Sequence, residues 1–252
     1  MKKSVLFGAL SLLVLAASCS KMASDEKRLV DAMTGDDIQQ SNTAYDELTK
    51  WLMTDLETMT YDFPYMREKL TDMHIVASKD SILRCYSWET GRTDTTSSYA
   101  NIVQWKLGDK MGGFNGSLEK LIANRIVDIN IPFTLAHRID TIIQIDGTTP
   151  TIYLIVQSFT AAANKRISYI TAVTIKDMHP AFLPHFFDGL DNVGNGLYNE
   201  GGKAKGEDIF KWDSGSGKLT VAVPDDKGNI DPARYDTYIM SKNRFKKVSE
   251  DK

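Results

Sequence analysis

The sequence predicts a mainly β domain in which an N-terminal amphipathic helix precedes an antiparallel β meander, with an α+β fold as the alternative. Apolar residues recur at spacings of three and four between residues 43 and 63, which is typical of one face of an α-helix. After residue 73 the apolar residues recur at every second position instead, as in a half-buried strand. Short polar turns separate these later segments, which favours antiparallel strands that follow one another in the chain.

Residues 1–18 have the layout of a secretory signal peptide. Two lysines give a positive start, residues 5–17 form an apolar run, and small residues stand directly before Cys19. The apolar run is shorter than the roughly 20 residues needed to cross a bilayer. With a cysteine right after the small residues, the segment resembles a bacterial lipoprotein signal. The resemblance implies that Cys19 becomes the first residue of the mature chain and carries acyl chains such as palmitate; the alternative is plain secretion with an incidental cysteine.

Sequence features after Cys19 predict where the mature chain resides. Ser20 and the acidic pair Asp25-Glu26 resemble the sorting signals of outer-membrane lipoproteins. This resemblance implies a location in the cell envelope, on the outer membrane, either facing the periplasm or exposed at the surface. Residues 19–42 are polar with scattered apolar residues and are expected to form a tether, because so few apolar groups cannot offset the entropy lost on ordering. Residues 43–252 are expected to form a single β-rich globular domain.

Charge and cysteine content argue against nucleic-acid binding and against an intramolecular disulfide. Removal of residues 1–18 takes away two lysines and no acidic residue, which changes the formal net charge from −3 to −5. A mildly acidic chain with dispersed lysines lacks the basic surface that nucleic-acid binding requires. With Cys19 acylated, Cys85 has no partner for a disulfide. No metal or organic cofactor is expected.

The predicted helix covers residues 43–62. Asn42 or Thr43 is the expected N-cap, and Pro64 is expected to end or kink the helix. The apolar stripe is expected to face the core and consists of Tyr45, Leu48, Leu52, Leu56, Met59 and Phe63.

Nine segments with period two or with short apolar runs are predicted strands: "ILRCYSW", "YANIVQW", "RIDTIIQI", "TIYLIVQSF", "RISYITAVTI", "DIFKW", "KLTVAV", "YDTYIMS" and "RFKKV". Residues 146–150 (Asp-Gly-Thr-Thr-Pro) are a strong hairpin signal between two of them. Residues 117–131 fit either a helix or a strand. Residues 188–206 are rich in glycine, lack any period and are expected to form a long loop.

Three of these strands and the closing hairpin carry a family resemblance. "ILRCYSWETG", followed by "YANIVQWK", "TIYLIVQSF" and a closing tyrosine-rich hairpin, resembles a family of uncharacterised Bacteroidetes-type outer-membrane lipoproteins with an "RxYSWDT" strand. Glu89 stands in place of the aspartate, and Gly91 alone stands in place of a glycine pair. The resemblance spans residues 75–248 and implies an envelope location and a β-rich fold, but no activity.

Motifs of common catalytic sites are absent from the sequence. There is no Gly-x-Ser-x-Gly, His-Glu-x-x-His, phosphate-binding glycine loop or Cys-x-x-Cys. The histidines stand at no metal-ligand spacing: His74, His137, His179 and His185. On a strand, Cys85 is expected to be a small buried apolar residue rather than a nucleophile. The segment "PDDKGNID" at 224–231 is explained as a turn, with a weak calcium site as the alternative.

Aromatic side chains give the most specific hypothesis for a binding site. Tyr86, Trp88 and Trp105 fall in phase on two consecutive predicted strands, so the register could place all three on one sheet face. The core is their more common location, whereas an exposed face would offer a stacking platform for a sugar ring or a protein. The predicted ligand-binding residues are those three aromatics with two polar residues of the adjoining loop at 89–98, Arg92 and Asp94.

Two functions from different classes are therefore open. The first is a non-enzymatic binding or interaction module for a glycan, a peptide or an envelope protein. The alternative is an envelope hydrolase acting on polysaccharide, with loop carboxylates such as Glu89 and Asp94 as its acid pair. A glycosidase needs two carboxyl groups about 5–10 Å apart around the bond that it cleaves, and an open cleft with two facing carboxylates would identify one.

Overall fold

Three antiparallel sheets follow an N-terminal helical layer, which confirms the predicted mainly β fold. The structure is a computed structural model that describes residues 20–90, 99–116, 137–160, 166–183, 185–187, 198–200, 209–224, 230–242 and 244–248. Within these ranges, no helix combines the length and the apolar composition that a membrane-spanning helix needs.

Residues 20–33 form a helix, α1, where a polar tether was expected for residues 19–42. Its buried positions are Met22, Glu26, Leu29 and Val30, at spacings of four, three and one. This is a narrow helical face, and one of its members is a carboxylate. The tether prediction is therefore wrong for these residues: the few apolar side chains lie on one face and pack into the core, so their small number does not prevent ordering.

The predicted helix at 43–62 is present with different ends. Helix α2 spans Ile38–Thr54 and is capped by Asp37, whose side chain accepts a hydrogen bond from Gln40 N at 3.0 Å. After α2, a 3₁₀ turn spans Leu56–Met59 and helix α3 spans Pro64–Lys69. Pro64 therefore begins a helix rather than ending one, as suits a residue whose missing N–H would have no partner in a first turn.

Each sheet is a meander of consecutive strands. Sheet A contains β1 (His74–Ala77), β2 (Leu83–Glu89), β3 (Tyr99–Leu107) and β4 (Lys110–Asn115) in that order. Sheet B contains β5 (Arg138–Ile145), β6 (Ile152–Thr160), β7 (Arg166–Lys176) and β8 (His179–Phe182), with β9 (Tyr198–Glu200) also paired to β7. Sheet C contains β10 (Phe210–Asp213), β11 (Lys218–Pro224), β12 (Ile230–Ser241) and β13 (Arg244–Lys247).

The layers stack in the order helices, sheet A, sheet B, sheet C. One face of sheet A packs on the helices through a cluster that includes Leu29, Leu48, Leu52, Phe63, Tyr86, Trp88 and Ile102. The other face packs on sheet B through Leu83, Cys85, Val103, Trp105, Tyr153, Ile155 and Val173. The far face of sheet B packs on sheet C through Leu154, Val156, Ile170, Leu219, Val221 and Phe245. Sheets A and B are thus buried on both faces.

All nine predicted strands are present. Residues 117–136, between β4 and β5, lie outside the described residues, and so does the segment 117–131 that fits either a helix or a strand. The hairpin turn at 146–150 joins β5 and β6 as predicted. The predicted loop at 188–206 is interrupted by β9, which pairs with β7; its other residues lie outside the described ranges.

Candidate functional site

The three aromatic residues of the predicted platform are buried. Tyr86 is 0 % exposed, Trp88 2 % and Trp105 5 %. Cross-strand pairing also separates them, because Leu83 pairs with Trp105, which places Trp105 on the sheet B face and the other two on the helix face. An exposed aromatic platform is therefore contradicted. The sequence shows which residues of one strand share a face, but the register between β2 and β3 decides which of them share a face with Trp105.

The loop that was expected to border this platform is described only at its ends. Arg92 and Asp94 lie outside the described residues. Glu89 is exposed at the end of β2 and pairs with Tyr99, the first residue of β3. The amide of Glu89 donates to Thr71 O at 2.9 Å, which fixes the segment after α3 beside the base of the loop.

A cluster of polar side chains surrounds the carboxylate of Asp72 next to this base, and we call it the Asp72 cluster. It consists of Asp72, His74, Tyr99, Arg138 and Asp140, drawn from the segment before β1 and from β1, β3 and β5. Tyr99 OH donates to Asp72 Oδ2 at 2.7 Å, and Arg138 Nη1 donates to the same oxygen at 2.9 Å. His74 Nε2 lies 3.2 Å from Asp72 Oδ1. Three elements thus converge on one carboxylate.

Arg138 joins this carboxylate to a second one in the interior. Its Nε donates to Asp140 Oδ1 at 2.7 Å, while its Nη1 contacts Asp72. The side chains are 33 % exposed at Asp72, 12 % at Arg138 and 2 % at Asp140. The cluster therefore runs from the surface inward, and only its Asp72 end can meet a ligand.

The two carboxylates have opposite pKa shifts. Burial acts to raise the pKa of Asp72, but hydrogen bonds from Tyr99 and Arg138 outweigh it and hold that pKa below its ordinary value. At Asp140 burial is the stronger influence, and it raises the pKa in spite of the contact with Arg138. Burial and the bond to Asp72 also raise the pKa of Tyr99, so its hydroxyl remains a donor. Perturbed groups near the surface are typical of functional sites, although structural ion pairs also produce them.

The backbone at Asp72 supports this arrangement. Its φ is 50°, in the left-handed region, which aspartate tolerates better than most residues. The start of β5 is held from the interior, because Asn101 Nδ2 donates to the carbonyl of His137 at 2.7 Å and the His137 ring hydrogen-bonds Tyr169 OH. These contacts position Arg138, the next residue, towards the cluster.

A serine nucleophile is not assembled at this cluster. Ser87 pairs with His74 across β1 and β2, and His74 contacts Asp72, so the residue types of a Ser-His-Asp triad are neighbours. However, Ser87 is 0 % exposed and its Oγ accepts from Ile139 N at 3.2 Å. In the described part of the chain, no hydrogen bond joins Ser87 to His74. Cys85 is also fully buried, and its burial raises the thiol pKa, as expected for a structural residue rather than a nucleophile.

A cleft of about 280 Å³ lies on the opposite side of the same strand end, and we call it the helix-side cleft. The end of α1 contributes Met33, α2 contributes Tyr45, α3 contributes Lys69, and the end of β2 contributes Trp88 and Glu89. Trp88 is thus part of the inner wall of a cleft, although it is not a solvent-facing platform. Most of the side chains that line the cleft are polar, and Met33, Leu70 and Trp88 are the apolar ones. Small-ligand sites are typically lined mainly by apolar side chains, so this lining suits a polar ligand better.

Among the described residues, no group of three His, Cys, Asp or Glu side chains is arranged to hold a metal ion. Within "PDDKGNID", residues 225–229 lie outside the described ranges, so the calcium alternative is not tested there.

The sequence did not single out the Asp72 cluster. Asp72, Tyr99 and Arg138 are distant in the chain, and no short motif contains them. One available signal was "RID" at the start of the apolar strand "RIDTIIQI", because a buried strand that begins with two charged residues needs partners for both.

Comparisons of the chain with protein-family models, with curated proteins and with solved structures found no match. The resemblance to Bacteroidetes-type lipoproteins therefore remains a prediction.

Proposed function

We propose that this protein is a lipid-anchored outer-membrane protein of the cell envelope, attached through Cys19, and that it is a non-enzymatic binding module for a glycan, a peptide or an envelope protein. The observation that supports a binding role most directly is the convergence of β1, β3 and β5 on the partly exposed carboxylate of Asp72. This cluster and the helix-side cleft flank the base of the loop at 89–98, and this arrangement supports a recognition surface at that end of the domain.

The chemistry of the Asp72 cluster suits hydrogen bonding to a polar, uncharged group. Asp72 supplies carboxylate acceptors that stay ionised at neutral pH, and the guanidinium of Arg138, which is 12 % exposed, lies directly beside them. With two carboxylates around one guanidinium, the cluster does not carry the excess positive charge that would favour a free anion. Hydroxyl groups of a sugar or amide groups of a peptide can both donate to and accept from such a set.

A hydrolase acting on polysaccharide is the second candidate, because the two carboxylates have opposite pKa shifts, as acid–base pairs do. Burial argues against it: Asp140 is 2 % exposed and bonded to Arg138, so a polysaccharide cannot reach it. The helix-side cleft is lined by Glu89 but by no second carboxylate among the described residues.

Binding to arrayed glycans and envelope peptides tests the proposal. The mature chain without its lipid would be compared with Asp72→Asn and with Asp46→Asn, an exposed aspartate on α2 that serves as the matched control. Loss of a charged hydrogen-bond acceptor should weaken binding of a hit about tenfold or more in Asp72→Asn and leave the control unchanged. Equal binding by all three proteins would contradict the site. Release of reducing ends from a bound polysaccharide would favour the hydrolase.

A further inference from the structure

Helix α1 is fastened to the rest of the domain along its described length. Near its start Met22 is buried, and at its middle Glu26 accepts hydrogen bonds from Tyr61 OH and Met66 N, each at 2.8 Å. At its end, Ser41 Oγ donates to the carbonyl of Met33 at 2.7 Å. The hydrogen bonds join the middle of α1 to the segment around α3 and the end of α1 to α2, so the helix moves with the domain as one body.

The buried face of α1 prevents it from swinging away. Leu29 is 1 % exposed, Val30 is 0 % exposed, and both belong to the core cluster beneath sheet A. On the exposed side, Arg28 forms a bidentate contact with Glu47 of α2, with distances of 2.6 and 3.1 Å. Release of α1 would expose apolar side chains and leave the Glu26 carboxylate without its donors.

Because Cys19 stands directly before α1, the packing of α1 on the domain affects how the domain is held at a membrane. Residue 20 is already helical, and Cys19 immediately precedes it. No described residue between the lipidation position and the domain is available as a flexible linker. At a rise of 1.5 Å per residue, residues 20–33 span about 20 Å. Met33 and Thr34, at the far end of α1, line the helix-side cleft.

We infer that α1 is a rigid spacer that holds the end of the domain near residue 20 against the lipid head groups and the helix-side cleft about 20 Å along the helix from that end. This inference rests on the proposed lipid attachment at Cys19. A protein with a flexible tether samples many orientations at a bilayer, whereas this one presents one end to the membrane and keeps the cleft at a fixed distance from its lipid.

Short-range quenching by membrane lipids tests the inference. The acylated mature protein, which begins at Cys19, would be placed in phosphatidylethanolamine–phosphatidylglycerol vesicles that contain a nitroxide head-group lipid. One dye would be attached at Ala23→Cys and, in a second protein, at Asp36→Cys. Both positions are exposed; Ala23 lies near the start of α1 and Asp36 lies just beyond its end. The native cysteines do not compete, because Cys19 would be acylated and Cys85 is 0 % exposed.

The expected result is quenching several-fold stronger at position 23 than at position 36. A glycine–serine insertion between Cys19 and Ser20 precedes the first described residue of α1, so it should leave the fold intact and make the quenching at the two positions similar. Equal quenching in the chain without the insertion, or no effect of the insertion, would overturn the spacer. Intact mass separates this result from failure of the proposed function: an unacylated chain overturns the anchor and the spacer together, whereas an acylated chain with equal quenching overturns only the spacer.

Discussion

Asp72 holds the polar cluster together because it is the residue on which His74, Tyr99 and Arg138 converge. Its stabilising effect depends on its charge, since Tyr99 and Arg138 donate to the ionised form. The left-handed backbone at this position lets one carboxylate face β1, β3 and β5 at once. The proposed binding role and the structural role therefore belong to one side chain, and both can be tested by removing its charge alone.

Substitution Asp72→Asn should lower the free energy of unfolding by about 1–2 kcal/mol at neutral pH, since a charged hydrogen-bonded contact is lost at a site that remains one-third exposed. The pKa of Asp72 is below its ordinary value of 3.8, so its contribution is present above that value and disappears as the pH falls through the lower, folded-state pKa. Urea unfolding of both proteins between pH 7 and strongly acidic pH, with Asp46→Asn as the control, measures this.

The free energies of unfolding of wild type and Asp72→Asn should converge as the pH falls below 3.8. A stability difference that stays constant as the pH falls would contradict the ionic role of Asp72, and so would an equal loss in Asp46→Asn.

At the scale of elements, α1 distinguishes the observed fold from a domain on a tether. Leu29→Ala should destabilise the mature chain by about 2–5 kcal/mol, because it removes a buried side chain and leaves a cavity between α1 and the core. Ser24→Ala, at an exposed position of the same helix, is the matched control and should change little. Chemical denaturation gives the free energy of unfolding of both variants. Near-identical values for Leu29→Ala and wild type would mean that residues 20–33 do not pack on the domain and act as a tether.

Strand β4 is pressed closely against its neighbours at two glycines. A Cβ at Gly112 would lie 2.6 Å from the ring of Trp105, and a Cβ at Gly113 would lie 2.5 Å from Met53 Cγ on α2. The Trp105 ring has little room to move, because it is 5 % exposed and its Nε1 donates to Met178 O at 3.0 Å.

Gly112→Ala is therefore expected to lower the free energy of unfolding by about 1–3 kcal/mol through overpacking. Gly35→Ala serves as the control, since a Cβ there meets nothing closer than 3.5 Å. Thermal or urea unfolding reports both variants. A Gly112→Ala protein as stable as the control variant would mean that Trp105 is not held between sheets A and B as described.

The elements that could be predicted are those whose signal is local. Period-two segments such as "RIDTIIQI" and the turn at 146–150 fix strands without help from distant residues. Helix α1 was missed because its buried face is narrow and includes Glu26, whose two hydrogen-bond donors come from residues 61 and 66. The face of Trp105 was missed because the sequence shows the phase within a strand but not the register between strands.

At the scale of the whole molecule, the meander divides into three stacked sheets. In sheet B, Tyr153 and Ile155 face sheet A while Leu154 and Val156 face sheet C, which explains the unbroken apolar run in "TIYLIVQSF". The sheets change across the two longest connections, residues 116–137 and residues 183–209, the second of which contains β9. The sequence alone does not show that the strands on either side of such a connection belong to different sheets. The Asp72 cluster could not be predicted for the same reason: it forms only where β5 of sheet B meets β1 and β3 of sheet A.

The proposed lipidation position and the helix-side cleft lie at opposite ends of α1. Its first described residue adjoins the proposed lipidation position, and its last residues line the helix-side cleft. Under the proposed function, membrane attachment through Cys19 and recognition of a ligand would belong to one rigid body.

Incorporation of tagged palmitate by cells that produce the full-length chain tests the lipid anchor most directly. Wild type should carry the label and fractionate with the outer membrane, whereas Cys19→Ala should carry none and leave the membrane fraction, because each buried acyl CH₂ contributes about 0.8 kcal/mol to membrane binding. An unlabelled wild-type protein, or a Cys19→Ala protein that stays in the membrane fraction as firmly as wild type, would contradict the account.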